Sequence, residues 1–508
     1  MGKSIMVQGT ASSVGKSLLT AALCRIFNED GYRVVPFKSQ NMALNSFVTE
    51  EGLEMGRAQV FQAEAARIKP QVKMNPILLK PTADSHAQVI IQGAVHGNMT
   101  AQEYHQFKPQ LKSMLRDIYL DLETSNDIVV IEGAGSPAEI NLRDQDIVNM
   151  GMAEIADSPV ILVGDIDRGG VFASLYGTIM LLEESERSRV KGILINKFRG
   201  DLKILEPGLK MLEELINIPV IGVIPYERFD IEDEDSLSDR LQQKNHQESD
   251  ISIAIIRLPH ISNFTDFHLL EQMEGVNVNY IGRNQSIGRP DMIIIPGSKN
   301  TIGDLKYLQE VGLAAEIIEV HKTGTMICGI CGGYQMLGNR ILDPNHVESP
   351  EGEIQGLGLL DVETNFESEK VTTQVSGKIL DHKLLEEIEC GGIEVKGYEI
   401  HMGRTLRGAT IKPFVKIEER LSKPVDDFDG AINEAGTVFG TYLHGIFDEI
   451  SLVEKIINGL LMKKGLPTIQ QRNCSLEELK DREYSRLAKV VRENIDMKYI
   501  YKILEGEA

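Results

Sequence analysis

The chain has 508 residues, 42% of them hydrophobic and 25% charged, a length for two large domains or three smaller ones and a composition ordinary for a soluble globular protein. Its formal net charge of −22 argues against broad attraction to nucleic acid or anionic lipid, so any anionic ligand must be held locally by backbone amides, a lysine or a metal ion. No apolar run approaches the ~20 residues that span a bilayer. The stretch Ile5–Val7 is too short for a signal-peptide core, and the five scattered cysteines (24, 328, 331, 390 and 474) fit a reducing cytoplasm rather than a disulfide framework.

From the start to about residue 230, short β-rich runs (Ser4–Gln8, Arg33–Phe37, Asp127–Ile131, Pro159–Val163, Lys191–Ile195 and Pro219–Ile224) alternate with helical patterns, which predicts a parallel sheet with crossover helices. After the first strand, Leu18, Leu19, Ala22, Leu23, Ile26 and Phe27 recur at helical spacing and stop at Gly31. Between that strand and helix lies Gly9-Thr10-Ala11-Ser12-Ser13-Val14-Gly15-Lys16-Ser17. Here successive backbone N–H groups from Thr10 to Gly15 are placed to cradle phosphates, Lys16 to reach the β/γ oxygens of ATP and Ser17 to ligate Mg²⁺. Thr10 stands where the strict pattern has its first glycine, a variant that resembles the loop of dethiobiotin synthetase.

Further ligand positions are expected at strand ends, where open α/β sheets collect them. Glu132 follows an apolar strand and is the second expected Mg²⁺ ligand, a solvated turn residue being the plainer alternative. Lys38, Gln40 and Asn41 follow the second strand. Asn196 is placed to read the adenine edge or merely to cap the next helix. Asp144 and Asp146 read as ordinary surface carboxylates on sequence alone.

The acidic run at 233–250 lacks an apolar period and is expected to link residues 1–232 to a second α/β domain at 251–448, with a helical tail at 449–508. In the second domain an apolar strand ends in Gly329-Ile330-Cys331-Gly332-Gly333, the cysteine counterpart of a nucleophile elbow. The following helix favours a thiolate at Cys331, and the Gly332 amide faces a developing oxyanion. A redox or metal Cys-x-x-Cys pair with Cys328 is the alternative; no second pair or histidine cluster lies near in sequence to complete a zinc site. Gly297 and Ser298 offer further oxyanion donors or a simple turn, and Gln335 lies just inside the helix on the glutamine side. His444, after the strand Val438–Leu443, is the expected base, with His401 as a structural or substrate-contacting competitor.

The segments Lys38-Ser39-Gln40-Asn41-Met42-Ala43-Leu44-Asn45-Ser46 and Glu132–Leu142 (EGAGSPAEINL) resemble signatures of the cobyric acid synthase family, and the resemblance covers nearly the whole chain. It implies a P-loop, dethiobiotin-synthetase-like ATP domain followed by a class I glutamine amidotransferase domain, with nucleophile and base at Cys331 and His444. It further implies that ATP, Mg²⁺ and glutamine serve to amidate the b, d, e and g carboxylates of adenosylcobyrinic acid a,c-diamide. The related a,c-diamide synthases share both chemistries, but the Gln40-Asn41 and Ser136–Leu142 motifs resemble the tetra-amidating relative. Partition-type ATPases carry an early loop lysine, where this chain has Ala11, and no cysteine elbow. Triad enzymes often carry a glutamate two residues after the histidine. Ile446 stands there, so a third member is absent or comes from elsewhere. Loops at Lys38–Ser46, Lys80–His86 and Asp144–Asp146 are expected on the corrin side, and a shielded path for ammonia is expected because the free base is mostly protonated at neutral pH.

Overall fold

The computed structural model describes residues 2–83, 86–231, 249–385, 388–469 and 475–508. The acidic connection expected at 233–250 lies outside them save its last two residues, and the loop expected at Lys80–His86 lies partly outside them, at 84 and 85. The chain packs as two units: Met1–Met42 with Met55–Ile231 and Glu477–Ala508, and Ala43–Glu54 with Glu232–Leu476. Packing therefore divides the chain differently from the continuous blocks expected. Residues 43–54 belong to the second unit, and the tail is shared: Ile450–Lys463 stays with the second unit while Leu476–Asn494 and Met497–Glu505 form helices of the first from Glu477 onward.

The first unit is built on a parallel sheet ordered Val220–Pro225, Val190–Phe198, Val160–Asp165, Lys3–Gly9, Ile128–Glu132, Val34–Phe37. These are the six runs read from the sequence. Ile128, Val129, Val130 and Ile131 are all buried, because crossover helices cover both faces of such a sheet and leave no polar side to alternate. Lys16–Glu29 is the helix after the first strand, and its Leu19, Ala22, Leu23, Ile26 and Phe27 enter the core. The same core receives Tyr484, Leu487, Ala488, Val491, Ile500, Ile503 and Leu504 from the C-terminal helices. A smaller sheet, Gln40–Met42, Ile77–Ala83, His86–Ile91 and Ala94–Thr100, completes the unit.

The second unit carries the parallel strands Val276–Ile281, Ile251–Ile256, Met292–Ile295, Met326–Ile330 and Val438–Thr441, with Ala431–Ile432 antiparallel at one edge. A second, largely antiparallel sheet is dominated by the long pair Val362–Ile379 and Glu394–Arg407. Among the described residues no helix is long and apolar enough to cross a membrane.

Candidate functional site

In the second unit, Met326–Ile330 and Val438–Thr441 are neighbouring parallel strands, so the residues that follow them emerge at the same sheet edge. Cys331 comes at once, held by its N–H to the Thr441 carbonyl at 2.8 Å, in a strained conformation for a non-glycine residue at φ 52° and ψ −108°. The turn is possible because Gly333 packs against the neighbouring strand: a side-chain carbon there would sit 1.9 Å from the Ile295 carbonyl oxygen. His444 lies three residues past its strand end and pairs backbone to backbone with Tyr398, whose ring stacks on the imidazole at 5.3 Å and 20°.

The imidazole is oriented from its far side. Asp266 Oδ2 lies 2.7 Å from His444 Nδ1, and Asp266 Oδ1 accepts the Gly445 N–H at 3.1 Å. With His444 1% and Asp266 4% exposed, this pair is shielded from solvent. Burial alone would lower the imidazole pKa; Asp266, with Cys331 beside it, more than offsets that and raises it to about 10. Nε2 finds no hydrogen-bond partner among the described residues and is left for the thiol side of the site. His401 is the opposite case. Burial pushes its pKa down to about 4, its Nδ1 lies 2.7 Å from the Gly403 carbonyl, and its ring stacks on Tyr442 at 3.7 Å, so it is a neutral packing residue.

The expected oxyanion residues converge here. A side-chain carbon on Gly297 would lie 3.1 Å from His444 Cε1, and one on Gly332 would lie 3.0 Å from the Ser298 nitrogen. The Ser298 hydroxyl is committed elsewhere, donating to Asp304 Oδ2 at 2.7 Å, so what Ser298 offers is main chain. Gln335 is buried, with its amide donating to Tyr442 Oη at 3.1 Å, and builds the wall rather than the opening of the site.

In the first unit, the loop after Lys3–Gly9 is closed on itself: Lys16 Nζ donates to the Ala11 and Gly135 carbonyls at 2.8 and 3.1 Å. Gly15 has φ 99°, a left-handed conformation natural only to glycine, and a side chain there would collide with the Asn196 amide. Asn196 Nδ2 donates to the Val14 carbonyl at 2.8 Å, so its amide nitrogen braces the phosphate loop. The Thr10 N–H is bonded to the Val163 carbonyl at 3.0 Å. Glu132, 1% exposed, accepts on Oε1 from both Ser17 Oγ and Lys38 Nζ, each at 2.8 Å, and on Oε2 from Gln62 Nε2.

Residues 5–237 match the family model described as the CobQ/CobB/MinD/ParA nucleotide binding domain, and residues 252–451 that of the CobB/CobQ-like glutamine amidotransferase domain. A cobyric acid synthase of Thermoanaerobacter sp. (strain X514) is 55% identical over 507 residues, 99% of both chains. One from Clostridium botulinum (strain 657 / Type Ba4) is 56% identical over 500 residues, 98% of this chain and 99% of that one, and one from Clostridium tetani (strain Massachusetts / E88) is 56% identical over 501, 98% of each. The chain belongs to the cobyric acid synthase family. As a member of that family it is a glutamine-dependent amidoligase with a nucleotide-binding domain.

Against that family background, the remaining expected positions separate. Lys38 joins Ser17 and Glu132, whereas Gln40 and Asn41 are turned to structural partners, Tyr104 Oη and Gln59 Oε1. Asp146 accepts the N–H groups of Val148, Asn149 and Gly151, which fixes the start of the helix Met150–Ile155. Asp266 escaped the sequence reading because it lies 178 residues before His444 and no spacing rule links them. The only local hint is a lone carboxylate between Phe264 and Phe267. A divalent metal fits the Ser17–Glu132 pair on chemical grounds: a buried carboxylate and a hydroxyl converging at the phosphate loop are the hard oxygen donors Mg²⁺ takes, with water and phosphate oxygens for the rest.

Proposed function

We propose that the chain amidates the b, d, e and g carboxylates of adenosylcobyrinic acid a,c-diamide, with ammonia released from glutamine at Cys331. The single observation that carries the two-site reading is the buried His444–Asp266 pair beside the strained Cys331, in a chain 55% identical from end to end to cobyric acid synthases.

The Cys331 sulfur attacks the side-chain amide carbon of glutamine while the oxyanion is received by the main-chain N–H groups of Gly332 and Ser298. His444, fixed by Asp266 and holding the proton it shares with the Cys331 sulfur, gives that proton to the departing nitrogen, so ammonia leaves and a thioester remains. Water activated by the same imidazole clears the thioester, giving glutamate. At the other centre an acceptor carboxylate oxygen attacks the γ-phosphorus of ATP, ADP leaves, and ammonia then displaces phosphate from the acyl phosphate. A bound Mg²⁺ supplies charge neutralisation at the transferred group. Ser17 and Glu132 would hold it, while Lys16 and the loop amides orient the phosphates.

Mass spectrometry of the corrinoid after incubation with ATP, Mg²⁺ and glutamine tests this. Four successive acid-to-amide changes are expected in the wild type. They should be absent in Cys331→Ala with glutamine and restored there by ammonium salt. Amidation of cobyrinic acid but not of its a,c-diamide would reassign the chain to the a,c-diamide chemistry.

A further inference from the structure

Residues 43–54 pack in the second unit although the chain on both sides of them belongs to the first. Their anchors fall on the neighbours of the two groups that drive glutamine hydrolysis. The Ser46 carbonyl accepts from Tyr398 Oη at 2.9 Å, Phe47 meets the Tyr398 ring edge-on at 5.3 Å, and Val48 is buried with Tyr398 and Ile400. Tyr398 is the residue stacked on His444, and its own backbone exchanges hydrogen bonds with His444 at 2.9 and 3.2 Å. On the other side, the Ser46 N–H donates to Asn263 Oδ1 at 3.0 Å, and Asn45 Oδ1 accepts the Phe264 N–H at 3.3 Å. Asn263 opens the turn that carries Asp266, accepting the Asp266 N–H at 3.1 Å. The segment thus holds both the base and its orienting carboxylate, each through one intervening residue.

The two flanks of the segment meet again on a single carboxylate. Lys38, five residues before it, and Gln62, in the helix Arg57–Ala65 just after it, both donate to Glu132, which also accepts from the phosphate-loop hydroxyl of Ser17. A nucleotide-bound metal held by Ser17 and Glu132 would draw on the same carboxylate oxygens that fix those flanks. We propose that residues 43–54 are a positioning element, with Tyr398 and Asn263 as its contacts, through which occupancy of the phosphate loop sets the alignment of His444 and Asp266 for glutamine hydrolysis. This inference rests on the glutaminase reading of Cys331 and on the nucleotide reading of Ser17 and Glu132.

The test is the rate at which a glutamine-like diazoketone alkylates Cys331 in the full-length protein, followed by intact mass and located by peptide mapping, with and without Mg²⁺ and a non-hydrolysable ATP analogue. In the wild type the nucleotide is expected to raise the rate at least about fivefold, the lower end of ordinary coupling between sites. In Tyr398→Phe, which keeps the stacked ring and loses the bond to Ser46, and in Asn263→Gly, which keeps the left-handed backbone of φ 52°, that ratio should fall below about twofold. A thermal melt of each variant checks folding, and either variant alone decides the question. A wild type indifferent to nucleotide, or variants that keep the full response, would overturn the proposal. A folded wild type with no modification at Cys331 would instead remove the glutaminase reading on which it stands.

Discussion

Asp266 is the side chain on which the proposed glutamine centre turns. It fixes the tautomer and rotation of His444 and holds the positive imidazole inside a dry pocket. Asp266→Asn should leave the fold intact and lower glutamine-dependent turnover by ~10²–10⁴-fold, with ammonia-dependent amidation retained, as steady-state assays with the two nitrogen donors would read. The linkage has a definite sign. Because the folded-state pKa of His444 lies above its unfolded value of 6.5, its contribution to stability is full below pH 6.5 and is lost as pH rises toward 10. Urea midpoints at pH 6 and pH 9 should therefore differ less in Asp266→Asn than in the wild type. At this scale the sequence exposes residues whose local setting announces them, Cys331 by its glycines and Lys16 by its loop. It conceals Asp266, whose role exists only through a partner far along the chain.

Two elements show how backbone and side chains divide the work. Gly15 carries the left-handed turn that lets the phosphate loop enter its helix. Gly15→Ala places an L-residue at φ 99°, at a cost of about 1–2 kcal/mol before its clash with Asn196 is counted. It should abolish ATP-dependent amidation while Cys331 remains open to alkylation without nucleotide. The helix Thr301–Glu310, which follows the Gly297–Ser298 loop, has its Ile302 N–H capped by Glu348 Oε1 at 2.9 Å. Burial raises the Glu348 carboxyl to about 7 against the pull of the Ile302 N–H and Lys299. Here the folded state prefers the neutral acid, so this group's contribution to stability is full below pH 4.5 and is lost as pH rises through 7. Glu348→Gln should flatten that slope by up to about 3 kcal/mol between pH 4 and pH 8, measured by chemical denaturation. Parallel strands such as Ile128–Glu132 are legible because burial on both faces writes a continuous apolar run. The long strand Val362–Ile379 is not: its exposed face fills with Glu, Lys, Thr and Ser, and its apolar positions are too few to stand out.

Across the whole molecule, the sequence marks one crossing between units by its acidic run but gives no sign of the others. Met42–Ala43 and Glu54–Met55 have no polar or Pro/Gly-rich linker, and packing alone assigns the residues between them. The return of residues 477–508 to the first unit is equally silent, since an amphipathic helix states that it has an apolar face and not what covers it. Removing those residues strips eight buried side chains from the first unit's core. At about 1.5–3 kcal/mol for each buried aliphatic or aromatic group, that loss matches or exceeds the ~5–15 kcal/mol that holds a typical domain. A chain ending at Leu476 should therefore lose nucleotide binding and the matching calorimetric transition.

The same return of the chain bears on how the protein is made. A ribosome releases Lys3–Pro225, with every strand of the first sheet, long before Tyr484 to Leu504 exist to seal its core. The nucleotide unit is therefore begun before the second unit and sealed only after it, and during synthesis of the second unit it carries an open apolar face. That interval is when a holdase chaperone has most to cover, and the wait ends only with the helices Leu476–Asn494 and Met497–Glu505.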